Sequence, residues 1–367
     1  MEKIKGVNLG NWFVLEKWMS PGLFEGTTAE DEYYLPTQLP KEIYEERIRR
    51  HRAEYITERD FIAIRALGLN AVRIPVPYFI FGDRAPFVGC IDGLDRAMEW
   101  AEKHGLKVLI DLHTAPDSQN GFDNGGISGV CKFFQEPEEI EYVYTVLERL
   151  AERYGSRKGL FGIEVLNEPI PKEWFKYLAG RSIPVEPEKA AGSRGYEREE
   201  LRTFYLTAYD RIMQYLPYDK KVVLHDGFDI LQWKDFMREE KYRNVVLDTH
   251  QYLFMTGMED PTLEEIIEHI NTKFAPAVQE MQQYFPVVCG EWCLSNPLPF
   301  PDLPEEEQKK IFHTLDAAQK AAWDLGSGYF YWSYKLHVNA AQVQGHANTE
   351  PWDLGRCVAH GWFEKEN

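Results

Sequence analysis

Eight short runs rich in Val, Ile and Leu recur along this chain of 367 residues, separated by segments with helical spacing. They are "KGVNLGNW" (5–12), "NAVRIPV" (70–76), "KVLIDLH" (107–113), "LFGIEVLNE" (160–168), "KVVLHDG" (221–227), "VVLDTHQY" (245–252), "PVVCGEW" (286–292) and "GYFYWSY" (328–334). Most show little strict alternation of apolar and polar residues, as expected of strands buried on both faces. The intervening segments carry the other period. Ile140, Val143, Leu147, Leu150 and Tyr154 fall three or four apart, one stripe of an amphipathic helix. Gly68, Gly105 and Gly326 each close a helical pattern just before a strand, where a left-handed cap belongs. Eight such alternations predict an α/β fold, a closed (β/α)8 TIM barrel. An open doubly wound sheet is the competing architecture, and no GxGxxG follows the first run to favour it.

No Ser/Gly-rich linker or internal repeat divides residues 1–367, which are read as one domain with elaborated βα loops. Two long connections, about 20–57 and 170–200, fall on the side of a barrel that carries function. The net charge of −18 argues against a nucleic-acid or anionic-membrane partner and suits a neutral ligand; it says nothing of oligomeric state. The first residues hold no apolar run of signal-peptide length, so a cytoplasmic protein is expected, or a secreted one if a leader has been removed. Five cysteines stand at 90, 131, 289, 293 and 357. Cys289 and Cys293 have no second Cys or His pair to complete a zinc site, so reduced thiols are expected, with no metal and no cofactor.

Within "GIEVLNEP" (162–169) an apolar run ends on Glu168, and a carboxylate there is costly unless something pairs with it or uses it. Polar residues recur at the ends of the other runs: Arg73, His113, Asn167 beside Glu168, His250 and Tyr252, Glu291, and Trp332. Singly, each has a packing explanation, as an ion-pair partner, a satisfied buried histidine or a core tryptophan. Together, at strand ends that converge on one mouth, they do not. Two glutamates facing each other across a barrel mouth meet the requirement for glycoside hydrolysis. One protonates the leaving oxygen, and the other attacks or stabilises the oxocarbenium-like centre.

These segments resemble glycoside hydrolase family 5. "LNEP" matches its acid/base motif, "GEW" its nucleophile motif, and "VRIP", "DLH", "HQY" and "YWSYK" its sugar-binding segments. "GVNLGNWFVLEKWMSPGLF", "HRAEYITERDF" and "DLHTAPDSQNGFDNGG" are similar to the exo-β-1,3-glucanase branch. The resemblance implies Glu168 as acid/base and Glu291 as nucleophile, with Arg73 keeping Glu291 ionised and Asn167 bonding the sugar 2-hydroxyl. It places His113, His250 and Tyr252 around the reacting sugar and Trp332 beneath it. Glu16, with Asp123 and Asn124, is implied in gripping the terminal glucose. Glu168 is expected to stay protonated beside an ionised Glu291. Two departures stand out: Tyr334 where the branch commonly has Trp, and a divergent "CLSNPLPF" after Trp292.

The expected activity is a retaining, exo-acting hydrolysis of β-glucosidic linkages, in β-1,3-glucan oligosaccharides or β-glucosides. Exo action on a β-1,6-glucoside or a β-mannoside, a diglycoside-releasing activity, and an endo-β-glucanase or mannanase are the alternatives. A metal-dependent hydrolase would need clustered ligands such as H-x-H after the first run, which reads "NLGNW". A binding-only protein would lack one glutamate, and both are present.

Overall fold

In the computed structural model, which describes residues 2–178, 184–298, 303–338 and 349–366, eight parallel strands close into a barrel in chain order. They are β1 (Ile4–Asn8), β2 (Ala71–Val76), β3 (Lys107–Leu112), β4 (Leu160–Glu164), β5 (Lys221–His225), β6 (Val245–His250), β7 (Val287–Trp292) and β8 (Gly328–Tyr331). The barrel closes through Ile4 opposite Gly328 and Gly6 opposite Ala71. The predicted (β/α)8 architecture is the one observed. Of the two long connections, residues 179–183 of the second lie outside the described residues.

Side chains alternate along a strand, and this period of two builds the interior in layers. One residue from each strand forms an apolar cluster: Ile4, Ala71, Leu109, Phe161, Val223, Val246, Val288 and Phe330. Two residues further on, the same faces carry Arg73, Asp111, His225 and Asp248, all fully buried. At Gly290, in the same position on β7, a Cβ would run into the Asp248 carboxylate, so only glycine fits. Register shifts between β3 and β4, and around β7, move Glu164 and Glu291 into this polar layer.

Around the barrel, helices bury the stripes their spacing predicts. The helix Pro137–Tyr154 buries Val143, Leu147, Leu150 and Tyr154, and Ile140 packs half-buried against them. Gly68 and Gly105 take the left-handed conformation expected of a cap, at φ 83° and 68°. Gly326 does not. The helix Glu305–Trp323 ends on Asp324 in right-handed geometry, and positive φ passes to Gly328, where the chain squeezes past the Ile4 carbonyl.

The first long connection packs Phe24, Tyr44 and Ile48 into an apolar cluster with Leu15, Val88, Ile127 and Val130 from outside it. Buried Arg52 ties it down, donating to the Val88 carbonyl at 2.6 Å and to Glu32 Oε1 at 3.2 Å. No helix among the described residues is long and apolar enough to cross a membrane.

Candidate active site

Arg73 organises the mouth of the barrel. It donates through Nε to Glu164 Oε2 at 2.8 Å and through Nη1 to Glu291 Oε1 at 2.9 Å and Asn8 Oδ1 at 3.0 Å. Nη2 donates to Asn167 Oδ1 at 2.8 Å and lies 3.1 Å from Asp111 Oδ2. Burial works against its charge, but Asp111, Glu164 and Glu291 outweigh burial and hold it charged.

Glu291, at the end of β7, is only 2% exposed rather than solvent-facing, and its Oε2 accepts from Tyr252 Oη at 2.8 Å. Glu168 lies four residues beyond β4, not at its tip. The strand leaves its ladder after Glu164, and Glu168 takes φ 43°, a left-handed conformation that side chains larger than glycine seldom adopt. That turn directs Oε1 to His250 Nδ1 at 2.7 Å and Oε2 to Asn124 Nδ2 at 3.2 Å. The same His250 nitrogen stands 3.5 Å from Glu291 Oε2.

This geometry corrects the expected protonation. His250 was read only as a sugar-binding residue, yet it sits between the two glutamates. Burial opposes its charge, but Glu291 and Asp248 overcome it and raise its pKa well above the ordinary histidine value. Burial alone would raise Glu168; the hydrogen bond and charge of His250 lower it instead. Glu291 is raised, chiefly by burial and by Glu168, against His250 and Arg73. Both shifts favour a proton on His250 over one on Glu168, one hydrogen bond away from the expected acid.

His113 shares a 2.5 Å contact between Nδ1 and Asp111 Oδ2, and its ring stacks on Trp332, centroids 5.6 Å apart and 6° from parallel. Its Nε2 lies 3.4 Å from Asn167 Nδ2. The Glu16 backbone N–H donates to Asn11 Oδ1 at 3.0 Å, and the Glu16 Oε2 accepts from Trp18 Nε1 at 2.8 Å. Glu16 Oε1 is buried with no hydrogen-bond partner among the described residues. Burial, then Asp123, Glu291 and Glu168, hold this carboxyl well above the usual range, against the Trp18 bond. Asp123 and Asn124 lie half-buried on the turn Asp123–Gly125. All eleven residues singled out from the sequence thus join one network. Sequence reasoning missed Asn8, Asp111, Glu164 and Asp248, whose only signal was a polar residue inside an apolar strand, and His225.

Two triads bring metal-ligand atoms within 4.8 Å of one another: Glu168, His225 and His250, and Glu164, Asp248 and His250. In both triads the His250 nitrogens already face Glu168 and Asp248, at 2.7 and 3.6 Å, and His225 Nδ1 accepts from the Gly227 N–H at 3.0 Å. The five cysteines are unpaired and buried.

Residues 45–337 match the family model for cellulase, glycosyl hydrolase family 5. The chain belongs to glycoside hydrolase family 5. This family 5 enzyme is 32% identical to a probable glucan 1,3-beta-glucosidase A of Aspergillus terreus, over 99% of its own length and 88% of the relative's. It is 31% identical to a glucan 1,3-beta-glucosidase of Candida oleophila, over 91% and 84% of the two chains. In fold it resembles a rutinosidase from Aspergillus niger, with a TM-score of 0.77, 21% identity and coverage of 99% and 98%. A glycoside hydrolase acts on a carbohydrate.

Proposed function

We propose that this family 5 enzyme releases single glucose units from the non-reducing end of β-glucosidic substrates, β-1,3-glucan oligosaccharides first among them, with retention of configuration. In the first step Glu291 attacks the anomeric carbon. His250 passes its proton to Glu168, the bond to the leaving oxygen breaks, and that oxygen takes this proton, which leaves Glu168 a carboxylate. In the second step Glu168 takes a proton from water. The water oxygen displaces Glu291 from the sugar, and the carboxylate is restored.

Retention is supported by His250, whose Nδ1 lies 2.7 Å from Glu168 and 3.5 Å from Glu291. An inverting pair keeps its carboxyls roughly 6.5–9.5 Å apart to admit a water, and one ring nitrogen does not reach across such a gap. Proton NMR in the first minutes of hydrolysis should show the β-anomer of glucose before mutarotation; the α-anomer appearing first overturns the double displacement.

Glu16 is the observation that carries exo action. An endo-acting cleft lets the glycan run past the reacting sugar, whereas here a buried carboxyl with an unsatisfied oxygen stands beside Asp123. Its loop is anchored through its backbone N–H to Asn11, and no Lys or Arg pairs with its carboxyl among the described residues. Only the hydroxyls of a chain end leave room for such a group. Glu16→Ala is expected to lower kcat/KM roughly 10- to 150-fold, the loss of a hydrogen bond worth about 1.5–3 kcal/mol. The wild type should release glucose from a β-1,3-glucan oligomer at the earliest time points. Early mixed oligosaccharides, or a Glu16→Ala enzyme of unchanged efficiency, would favour the endo alternative.

A further inference from the structure

Gln119 is fully buried in the loop after β3, and its side-chain amide is paired at both ends. Oε1 accepts from the Ala115 N–H at 3.1 Å, and Nε2 donates to the His113 carbonyl at 2.9 Å and to the Asn167 carbonyl at 2.8 Å. Its backbone carbonyl accepts from the Ile170 N–H at 3.2 Å. Two of these bonds brace the loop that carries Gln119. The other two leave that loop, and they fall on either side of Glu168.

Glu168 is a residue that needs such support. Its φ of 43° is a conformation that persists only where the surroundings fix the neighbouring chain. Before it, the Asn167 N–H donates to the Leu112 carbonyl at 2.9 Å and the Asn167 side chain accepts from Arg73 at 2.8 Å, so Gln119 supplies a third hold on Asn167. After it comes Pro169, which has no N–H, so the first amide able to tie down the chain beyond Glu168 belongs to Ile170. That amide meets the Gln119 carbonyl. A glutamine side chain suits the place chemically. A carboxylate would offer no donor to the two carbonyls, and a lysine no acceptor to Ala115.

We propose that Gln119 is the positioning residue of the acid/base: by clamping the chain before and after Glu168, it fixes the direction from which that carboxyl meets the leaving oxygen. This rests on the reading of Glu168 as the acid/base of a β-glucoside hydrolase. A clamp of this kind acts selectively. Its loss impairs protonation of the leaving group and spares the attack by Glu291, which Arg73 and Tyr252 hold in place.

The test compares wild type, Glu168→Gln, Gln119→Met and Gln119→Asn on laminaritriose and on a series of aryl β-glucosides whose phenols differ in acidity. Gln119→Met keeps the shape and removes the amide. Gln119→Asn keeps an amide on a stem too short for all three side-chain bonds, and it serves if Gln119→Met does not fold. Gln119→Met should lower kcat/KM about 10- to 100-fold on laminaritriose and by no more than about 3-fold on 2,4-dinitrophenyl β-glucoside. Across the series its kcat/KM should fall more steeply than that of the wild type as the phenol becomes less acidic. Gln119→Asn should show the same selectivity at smaller size. Equal losses on laminaritriose and the dinitrophenyl glucoside in the Gln119 variants, beside a selective loss in Glu168→Gln, make Gln119 a brace of the whole site and overturn the proposal. Unchanged kinetics overturn it too, as does failure of both variants to fold. Equal losses in Glu168→Gln, or a wild type that hydrolyses none of these substrates, overturn the reading of Glu168 itself, and the positioning role with it.

Discussion

Glu291→Ala is expected to lower kcat/KM by about 10⁴-fold or more and to leave a folded protein. The size follows from the proposed role, because a double displacement does not start without its nucleophile. The stability expectation follows from the surroundings. Removing the carboxylate strands the Tyr252 hydroxyl and one of the Arg73 contacts, an unsatisfied-group cost of about 1–3 kcal/mol. Arg73 keeps Glu164, Asn8, Asn167 and Asp111, so its charge stays paired. Against that cost, one carboxylate leaves a site where Glu16 and Glu168 repel it. The two effects oppose each other, and the melting temperature should move by only a few degrees. Sodium azide distinguishes a missing nucleophile from general damage. The small anion enters the vacated space, attacks from the face Glu291 used and gives an α-glucosyl azide from an activated aryl glucoside. Residual activity near wild type, or a β-glucosyl azide, would remove Glu291 from the role.

The barrel was legible because buried parallel strands write a simple pattern. Strands β2, β3, β5, β6 and β7 end within two residues of the ends of the runs read from the sequence. The runs that overshot, β1, β4 and β8, are those whose continuations leave the ladder to become the site. Asn11 and Glu168 take φ 61° and 43°, and Trp332 follows the last residue of β8. Val165 and Leu166 stay buried after β4 ends, so apolar content persists where strand geometry stops. The two glutamates were legible because each interrupts such a run. The charge on His250 was not. It depends on Glu168, Glu291 and Asp248 arriving from β4, β6 and β7 around one ring, and spacing along a chain carries no such distance. The hold of Gln119 on Asn167 was illegible for the same reason, since it joins two loops 48 residues apart in sequence.

The other large effect is expected at Glu168, and it depends on the substrate. Glu168→Gln removes the proton donor while keeping an oxygen for His250 to meet. On a glucan oligomer, whose leaving alkoxide needs protonation, kcat/KM should fall about 10²- to 10⁴-fold. An activated aryl glucoside leaves without help, so its kcat/KM, which reports the first step alone, should be largely spared. Its kcat should still fall, because water then attacks the glycosyl-enzyme without a base, and a burst of phenol should precede slow turnover. The position of His250 adds a pH signature. The first step needs a proton on the Glu168–His250 pair, so activity is lost as pH rises through the pKa of that pair. Because His250 is raised well above the ordinary histidine value of about 6.5, the alkaline limb of kcat/KM should lie above that pH. In His250→Gln the proton must sit on Glu168, held only by burial and by Glu291, and the limb should move down by roughly a pH unit or more. An unmoved limb would detach His250 from the proton path. Equal losses of kcat/KM on the oligomer and the aryl glucoside in Glu168→Gln would mean that Glu168 is not the acid, however well the turn after β4 presents it.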